Sequence, residues 1–282
     1  MNFISDAQLD RWLLEDIQGG DLTTRALDIG FRHGRMQFIH RAGGCVSGAA
    51  CAQRLLQRLG LQVEGAVAEG EVVKAGHCLL SAVGPAEALH QGWKAAQNLL
   101  EWSCGIAHYA WRMTQLLRRY VPEGQIAGSR KTFPGSRTLA QQALVAGGGI
   151  VHRSGLAETV LLFANHRRFH ANPQDWSTMV ASLRQQAPEK AIVVEADNKE
   201  EALAALAARP DILQLDKFSV ADIAAVQQAA ISLAPRCRLA LAGGITLQTL
   251  ETFAQTGVGL MITSAPYAAS PADIGVMMEP VQ

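Results

Sequence analysis

The chain has 282 residues with 25 basic and 25 acidic side chains, so no net charge draws it to nucleic acid or an anionic membrane. Charged residues are 18% of the total, which leaves anion binding to local clusters, and no basic stripe with interleaved aromatics supports a nucleic-acid role. The five cysteines (Cys45, Cys51, Cys78, Cys104, Cys237) lack Cys-x-x-Cys spacing, Met1 leads into a polar start, and no apolar run reaches the roughly 18 residues of a membrane span, so a reduced, soluble, cytoplasmic protein is expected.

Ser5 with Gln8 makes a capping box, and Leu9, Trp12, Leu13 and Ile17 follow at helical spacing until Gly19-Gly20. Asp21 to Thr24 reads as a loop. Residues 35–48 read as strand and turn around Met36, Phe38 and Ile39, and 49–59 as a helix burying Leu55, Leu56 and Leu59. Residues 70–76 predict a hairpin leading to a strand over 78–83. Pro85 opens a long helix to about Leu117, with Gly105 as a candidate break. Residues 1–115 therefore read as an α+β domain.

From residue 125 short apolar runs alternate with helices, the pattern of βαβ units and a parallel sheet. Strands are expected over 125–130, 159–164, 191–195, 212–216, 238–242 and 259–263, in a domain spanning 116–270. The 271–282 tail is expected to return to the first domain. Asn198 with Glu201 and Ser219 with Asp222 are capping pairs, and Gly257 ends a helix begun near Thr246.

Chemistry-bearing residues sit where those strands end, the end at which parallel α/β barrels gather their loops. Arg130-Lys131 and His152-Arg153 stand beside glycine-rich turns, an arrangement that suits an anionic substrate, although a solvated basic patch has the same composition. Glu195 and Asp216 close successive strands. As a pair they fit ligands better than helix-cap partners. Gly243-Gly244 offers backbone amides to a phosphate, with Ser264 at the next strand end. The run from Gly147 to Gly149 fits a helix stop and a tight turn better than a phosphate site.

Three motifs carry a resemblance: Ser129-Arg130-Lys131-Thr132-Phe133-Pro134-Gly135, then Gly147-Gly148-Gly149-Ile150-Val151-His152-Arg153-Ser154-Gly155-Leu156, then Phe163-Ala164-Asn165-His166. They resemble the quinolinate phosphoribosyltransferases, also called nicotinate-nucleotide pyrophosphorylases. The Phe-Pro-Gly after Lys131-Thr132 is similar to a sub-branch, the ModD-type pyrophosphorylases, named for their link to molybdate-transport genes. The likeness runs from Glu15-Asp16 to the last strand.

It implies an incomplete parallel α/β barrel with an N-terminal α+β sandwich domain. It also implies Mg2+-dependent transfer of phosphoribose from phosphoribosyl pyrophosphate to an aromatic nitrogen acceptor. If the acceptor is quinolinate, the products are nicotinate mononucleotide, CO2 and pyrophosphate. On this resemblance Lys131, Glu195 and Asp216 are the catalytic candidates. Arg130, Lys131, His152 and Arg153 grip the acceptor and pyrophosphate, and Glu195 and Asp216 hold ribose or magnesium. Gly243, Gly244 and Ser264 meet the 5′-phosphate. Lys94 stands where the family has an arginine that reaches into the neighbouring subunit of a homodimer with shared active sites; a snorkelling surface lysine is the other reading. Cys104 reads as helix packing.

Departures fall in the acceptor half. Phe163 replaces a lysine and Ala164 an aspartate, Val193 and Ala240 replace glutamates, and Trp93 replaces an acid. Phe163 makes the pocket more apolar and favours stacking on an aromatic carboxylate or heterocycle. The losses also admit a second reading, a catalytically altered paralogue that acts on another heterocycle or serves as a binding or accessory protein in molybdenum metabolism.

Overall fold

In the computed structural model, which describes residues 3–281, five strands come first: β1 (His33–His40), β2 (Gly44–Cys45), β3 (Gln62–Ala66), β4 (Val72–Val73) and β5 (His77–Pro85). Then come β6 (Gln125–Gly128), β7 (Ile150–Val151), β8 (Val160–Leu162), β9 (Ile192–Ala196), β10 (Ile212–Asp216), β11 (Arg238–Ala242), β12 (Leu260–Thr263) and β13 (Ile274–Pro280). The chain forms two compact units. One comprises Met1–Trp111, Thr132–Gly148 and Pro266–Gln282, and the other Arg112–Lys131 and Gly149–Ala265.

The first unit is built on an antiparallel sheet of order β13-β1-β5-β3. In β1 the alternate residues Met36 and Phe38 are fully buried, the period-2 pattern of a strand with one face on a core. Leu9 and Leu13 from the helix Asp6–Ile17, and Leu55 and Leu56 from Ala49–Arg58, join the same core. Each large side chain so buried contributes roughly 1.5–3 kcal/mol. Ser5 caps the first helix by accepting from the Gln8 N–H at 3.3 Å. The tail pairs with β1 from Gly34↔Pro280 to His40↔Ile274.

Four local expectations are corrected. Asp21 to Thr24 is no loop: Asp21 accepts from the Thr24 N–H at 2.8 Å and caps a short helix, Leu22–Ala26. Residues 70–76 form no hairpin with the following strand, because β4 pairs with β2 instead (Gly44↔Val73). Strand β3, absent from the sequence reading, is an edge strand of mostly exposed, small or polar residues with no alternating apolar period. Gly105 does not break the helix, which runs unbroken over Ala86–Tyr120. A Cβ at Gly105 would lie 2.3 Å from the Ser270 carbonyl oxygen, so this glycine serves close backbone approach.

The second unit is a seven-stranded, wholly parallel sheet of order β7-β6-β12-β11-β10-β9-β8. Its edges, β7 and β8, are consecutive in the chain and unpaired with each other, so the barrel is incomplete. The concave interior is lined with small and branched residues (Ala127, Ala240, Ala242, Leu260, Ile262) that pack as one cluster. Asn198 accepts from the Glu201 N–H at 2.9 Å and Ser219 from the Asp222 N–H at 3.1 Å, as their spacing predicts. The helix expected near Thr246 begins only at Leu250 and ends at Ala254, with Gly257 (φ +78°) closing the turn that follows it.

Candidate active site

All seven parallel strands send residues from their C-terminal ends to one cavity of about 400 Å³. It gathers ten of the predicted residues: Arg130, Lys131, His152, Arg153, Phe163, Glu195, Asp216, Gly243, Gly244 and Ser264. Lys94 is not among them. It lines a separate cavity of the first unit, where its Nζ donates to Gln97 Oε1 at 2.8 Å and stands 4.1 Å over the Trp93 ring.

The cationic wall comes from the loops after β6 and β7. The Ser129 N–H donates to the Thr263 carbonyl (2.9 Å) and the His152 N–H to the Gly128 carbonyl (3.0 Å), tying both loops to the sheet. Burial, and secondarily Arg153, hold the His152 imidazole below its ordinary pKa, so His152 is neutral at pH 7. The His152-Arg153 pair thus brings one fixed cation, not two. Burial first, then Arg130, pulls the Arg153 guanidinium down while Glu195 opposes, but a guanidinium stays charged. Among the described residues no carboxylate lies within ion-pair distance of Arg130, Lys131 or Arg153. Their charge is left for a ligand.

Opposite stand the carboxylates. Burial, and then Asp216 and Asp197, raise the Glu195 pKa, while Lys131 and Arg153 lower it. Sequence reasoning missed Gln214, which is 5% exposed and lines the same cavity. It is in register with Glu195 and Ala240, and its Nε2 donates to Glu195. Its Oε1 is buried with no partner among the described residues. The available signal was its place two residues before Asp216, on the same strand face.

The glycine loop after β11 is held by threonines. Thr263 Oγ1 donates to the Ile245 carbonyl (2.6 Å) and accepts from the Ala265 N–H (3.0 Å). Thr249 Oγ1 donates to the Gly244 carbonyl at 2.7 Å. Gly243 (φ +82°) and Gly244 (φ +69°) both need the left-handed region. A Cβ on Gly243 would meet Asp216 Oδ1 at 2.7 Å, whereas one on Gly244 would find nothing within 4 Å. The turn therefore packs on one side and opens on the other.

Phe163 and Leu161 form an apolar wall, and the Phe163 ring meets His166 edge-on at 4.2 Å. Asn165 lies on a helical turn (Ala164–Arg167), its Oδ1 accepting from Arg168, and does not line the cavity. In the first unit Cys104 exchanges backbone contacts with Ser47 and burial pushes its thiol to about 12, a packing residue and no nucleophile. All five cysteines are free. No helix among the described residues is long and apolar enough to cross a membrane.

Comparison with known proteins agrees with this geometry. Residues 21–104 match the family "Quinolinate phosphoribosyl transferase, N-terminal domain" and residues 106–277 its C-terminal counterpart. The chain is 57% identical over 280 residues to an Escherichia coli O157:H7 protein named as pyrophosphorylase ModD, with 99% of each chain covered. To the nicotinate-nucleotide pyrophosphorylase [carboxylating] of Mycobacterium leprae it is 29% identical, covering 97% of this chain and 99% of that one. The solved structure of NadC from Streptococcus pyogenes superposes with a TM-score of 0.89 at 23% identity over the whole of both chains, a likeness of fold. The chain therefore belongs to the quinolinate phosphoribosyltransferase family, a family of pentosyltransferases.

Proposed function

We propose that the protein transfers phosphoribose from phosphoribosyl pyrophosphate to a ring nitrogen of an aromatic acceptor such as quinolinate, releasing pyrophosphate. The observation that carries this reading is one cavity with three unpaired cations on one wall, a carboxylate pair opposite, and an open glycine turn between successive strand ends. A doubly phosphorylated sugar needs all three. Arg130, Lys131 and Arg153 offset the charge of the leaving pyrophosphate as it grows. Glu195, held by Gln214, and Asp216 orient the ribose hydroxyls and favour the positive charge that develops at C1. The Gly243-Gly244 turn and Ser264 take the 5′-phosphate.

The hard oxygens of Glu195 and Asp216, with the unpartnered Gln214 Oε1 beside them, fit Mg2+. When bound, magnesium neutralises pyrophosphate charge. The acceptor lies against Phe163 and Leu161, a wall without a cation, so its ring is held by stacking and its carboxylate by Arg130 or Lys131.

The test is pyrophosphate release by purified protein with magnesium and phosphoribosyl pyrophosphate, with quinolinate and nicotinate as parallel acceptors. Release with quinolinate supports the assignment. Silence with both overturns it and favours the altered paralogue, whose motivating observation is the lost cation at Phe163.

A second measurement separates role from stability. Because the folded Glu195 pKa lies above its unfolded value, the neutral form is the one the fold prefers. That stabilisation is complete below the ordinary carboxylate range and is lost as pH rises through the raised value. Glu195→Gln is therefore expected to melt at or above the wild-type temperature at neutral pH, with the difference shrinking as pH falls toward the ordinary range, while turnover collapses. Thermal melts across that range, with a parallel rate assay, check both halves.

A further inference from the structure

Lys217 adopts a backbone conformation that its own side chain disfavours. Its φ is +59°, in the left-handed region suited to glycine and asparagine. Among the described residues two other non-glycine residues share the region, each with a local reason. Asp28 (φ +51°) is of a type that tolerates it, and Arg209 (φ +53°) ends the helix Lys199–Ala207, its N–H donating to the Leu206 carbonyl at 2.9 Å. Lys217 follows β10 and ends no helix. Its N–H donates to the Ala242 carbonyl at 2.8 Å, a bond that asparagine or glycine would make equally well.

The side chain gives the fold little in return. Its Nζ stands 3.7 Å from Asp216 Oδ2 with the lysine side chain 78% exposed, a contact of the kind that contributes little to stability. Its position is informative. Lys217 Cγ lies 2.5 Å from where a Cβ on Gly243 would stand, so the stem packs on the glycine turn, and the ammonium, itself outside the cavity lining, reaches a carboxylate that lines it. A residue that breaks a local preference beside a site, without a folding gain, points to a ligand.

We infer that Lys217 is a further substrate-binding residue, whose ammonium leaves Asp216 to close over a phosphate oxygen of the donor at the cavity mouth. This rests on the phosphoribosyl-transfer reading above. An exposed four-carbon stem carrying a compact charge suits such a movement. The phosphate belongs either to the pyrophosphoryl group or to the 5′ position, because Lys217 touches both Asp216 and the Gly243 position.

The experiment is calorimetric titration of the full-length protein, Lys217→Asn and Lys217→Arg with inorganic pyrophosphate plus magnesium and, separately, with ribose 5-phosphate. Asparagine suits the left-handed backbone, so this variant is expected to melt at or above the wild-type temperature. It is expected to lose about tenfold in affinity for one of the two ligands, or ~1.4 kcal/mol. Arginine recovers most of that loss, and the gap narrows as salt is raised. The ligand affected identifies which phosphate Lys217 meets. Wild-type affinity of Lys217→Asn for both ligands overturns the inference and leaves the transferase reading standing. Failure of the wild-type protein to bind either ligand overturns both.

Discussion

Lys131→Ala is expected to lower kcat/KM for phosphoribosyl pyrophosphate by roughly a hundred- to a thousandfold, the scale of removing one preorganised charge-stabilising donor. The melting temperature is expected to stay within about 2 °C, because an exposed side chain with no structural partner shifts stability by no more than about 0.5 kcal/mol. Lys131 meets that description: it is exposed, makes no ion pair among the described residues, and its N–H, not its ammonium, bonds Ser129 Oγ at 3.3 Å. The melt and a steady-state pyrophosphate assay on the same preparation check the prediction. Near wild-type turnover in a folded Lys131→Ala protein would remove Lys131 from the machinery and weaken the case for the cationic wall.

Gly243→Ala is expected to damage stability and activity together. The left-handed backbone costs an alanine about 1–2 kcal/mol, and a methyl 2.7 Å from Asp216 Oδ1 adds overpacking of about 1–3 kcal/mol. A total of roughly 2–5 kcal/mol lowers the melting temperature by about 4–10 °C in a chain of this size. Relief by displacement moves Asp216 and Lys217, so turnover falls as well. Gly244→Ala provides the contrast. It bears the same backbone cost of about 1–2 kcal/mol, but its methyl enters open space, where on the proposed reading it competes only with the donor's phosphate. Its loss is therefore expected chiefly in KM for the donor. Melting curves and a donor titration on both variants separate the two sides of the turn, and equal behaviour would contradict the packing described for it.

The barrel was readable in the sequence because the inner strands are short, mostly apolar runs, each with a polar residue or a glycine at or just beyond its end. That end is the point at which a buried strand meets its loop, as in Ile212 to Asp216. Site residues fall at those ends, so locating the strands located the site. The edges were less readable. Strands β3 and β7 are short and only partly buried, and too few residues alternate to reveal a period. Gln214 was missed because its meaning depends on register: only pairing with β9 sets it beside Glu195. The His152 charge depends on burial that no motif states. Lys94 shares the apparent signature of the other cations but belongs to another cavity, and that distinction is tertiary.

On the phosphoribosyl-transfer reading, the unclosed edge of the parallel sheet bears on how a bulky polyanionic donor would get in and out. A fully closed ring of strands must break ladder hydrogen bonds, each worth a net of about 0.5–1.5 kcal/mol, to widen its rim. Here β7 and β8 share no ladder, and the segment that crosses from one to the other carries His152 and Arg153. Widening the rim at this edge breaks no strand-to-strand ladder; the His152 N–H bond to the Gly128 carbonyl ties the β7 loop there, and Arg153 lies just beyond that tie. On that reading, loading and discharge would require no melting of the scaffold, and the inner strands that hold Glu195 and Asp216 keep their ladders.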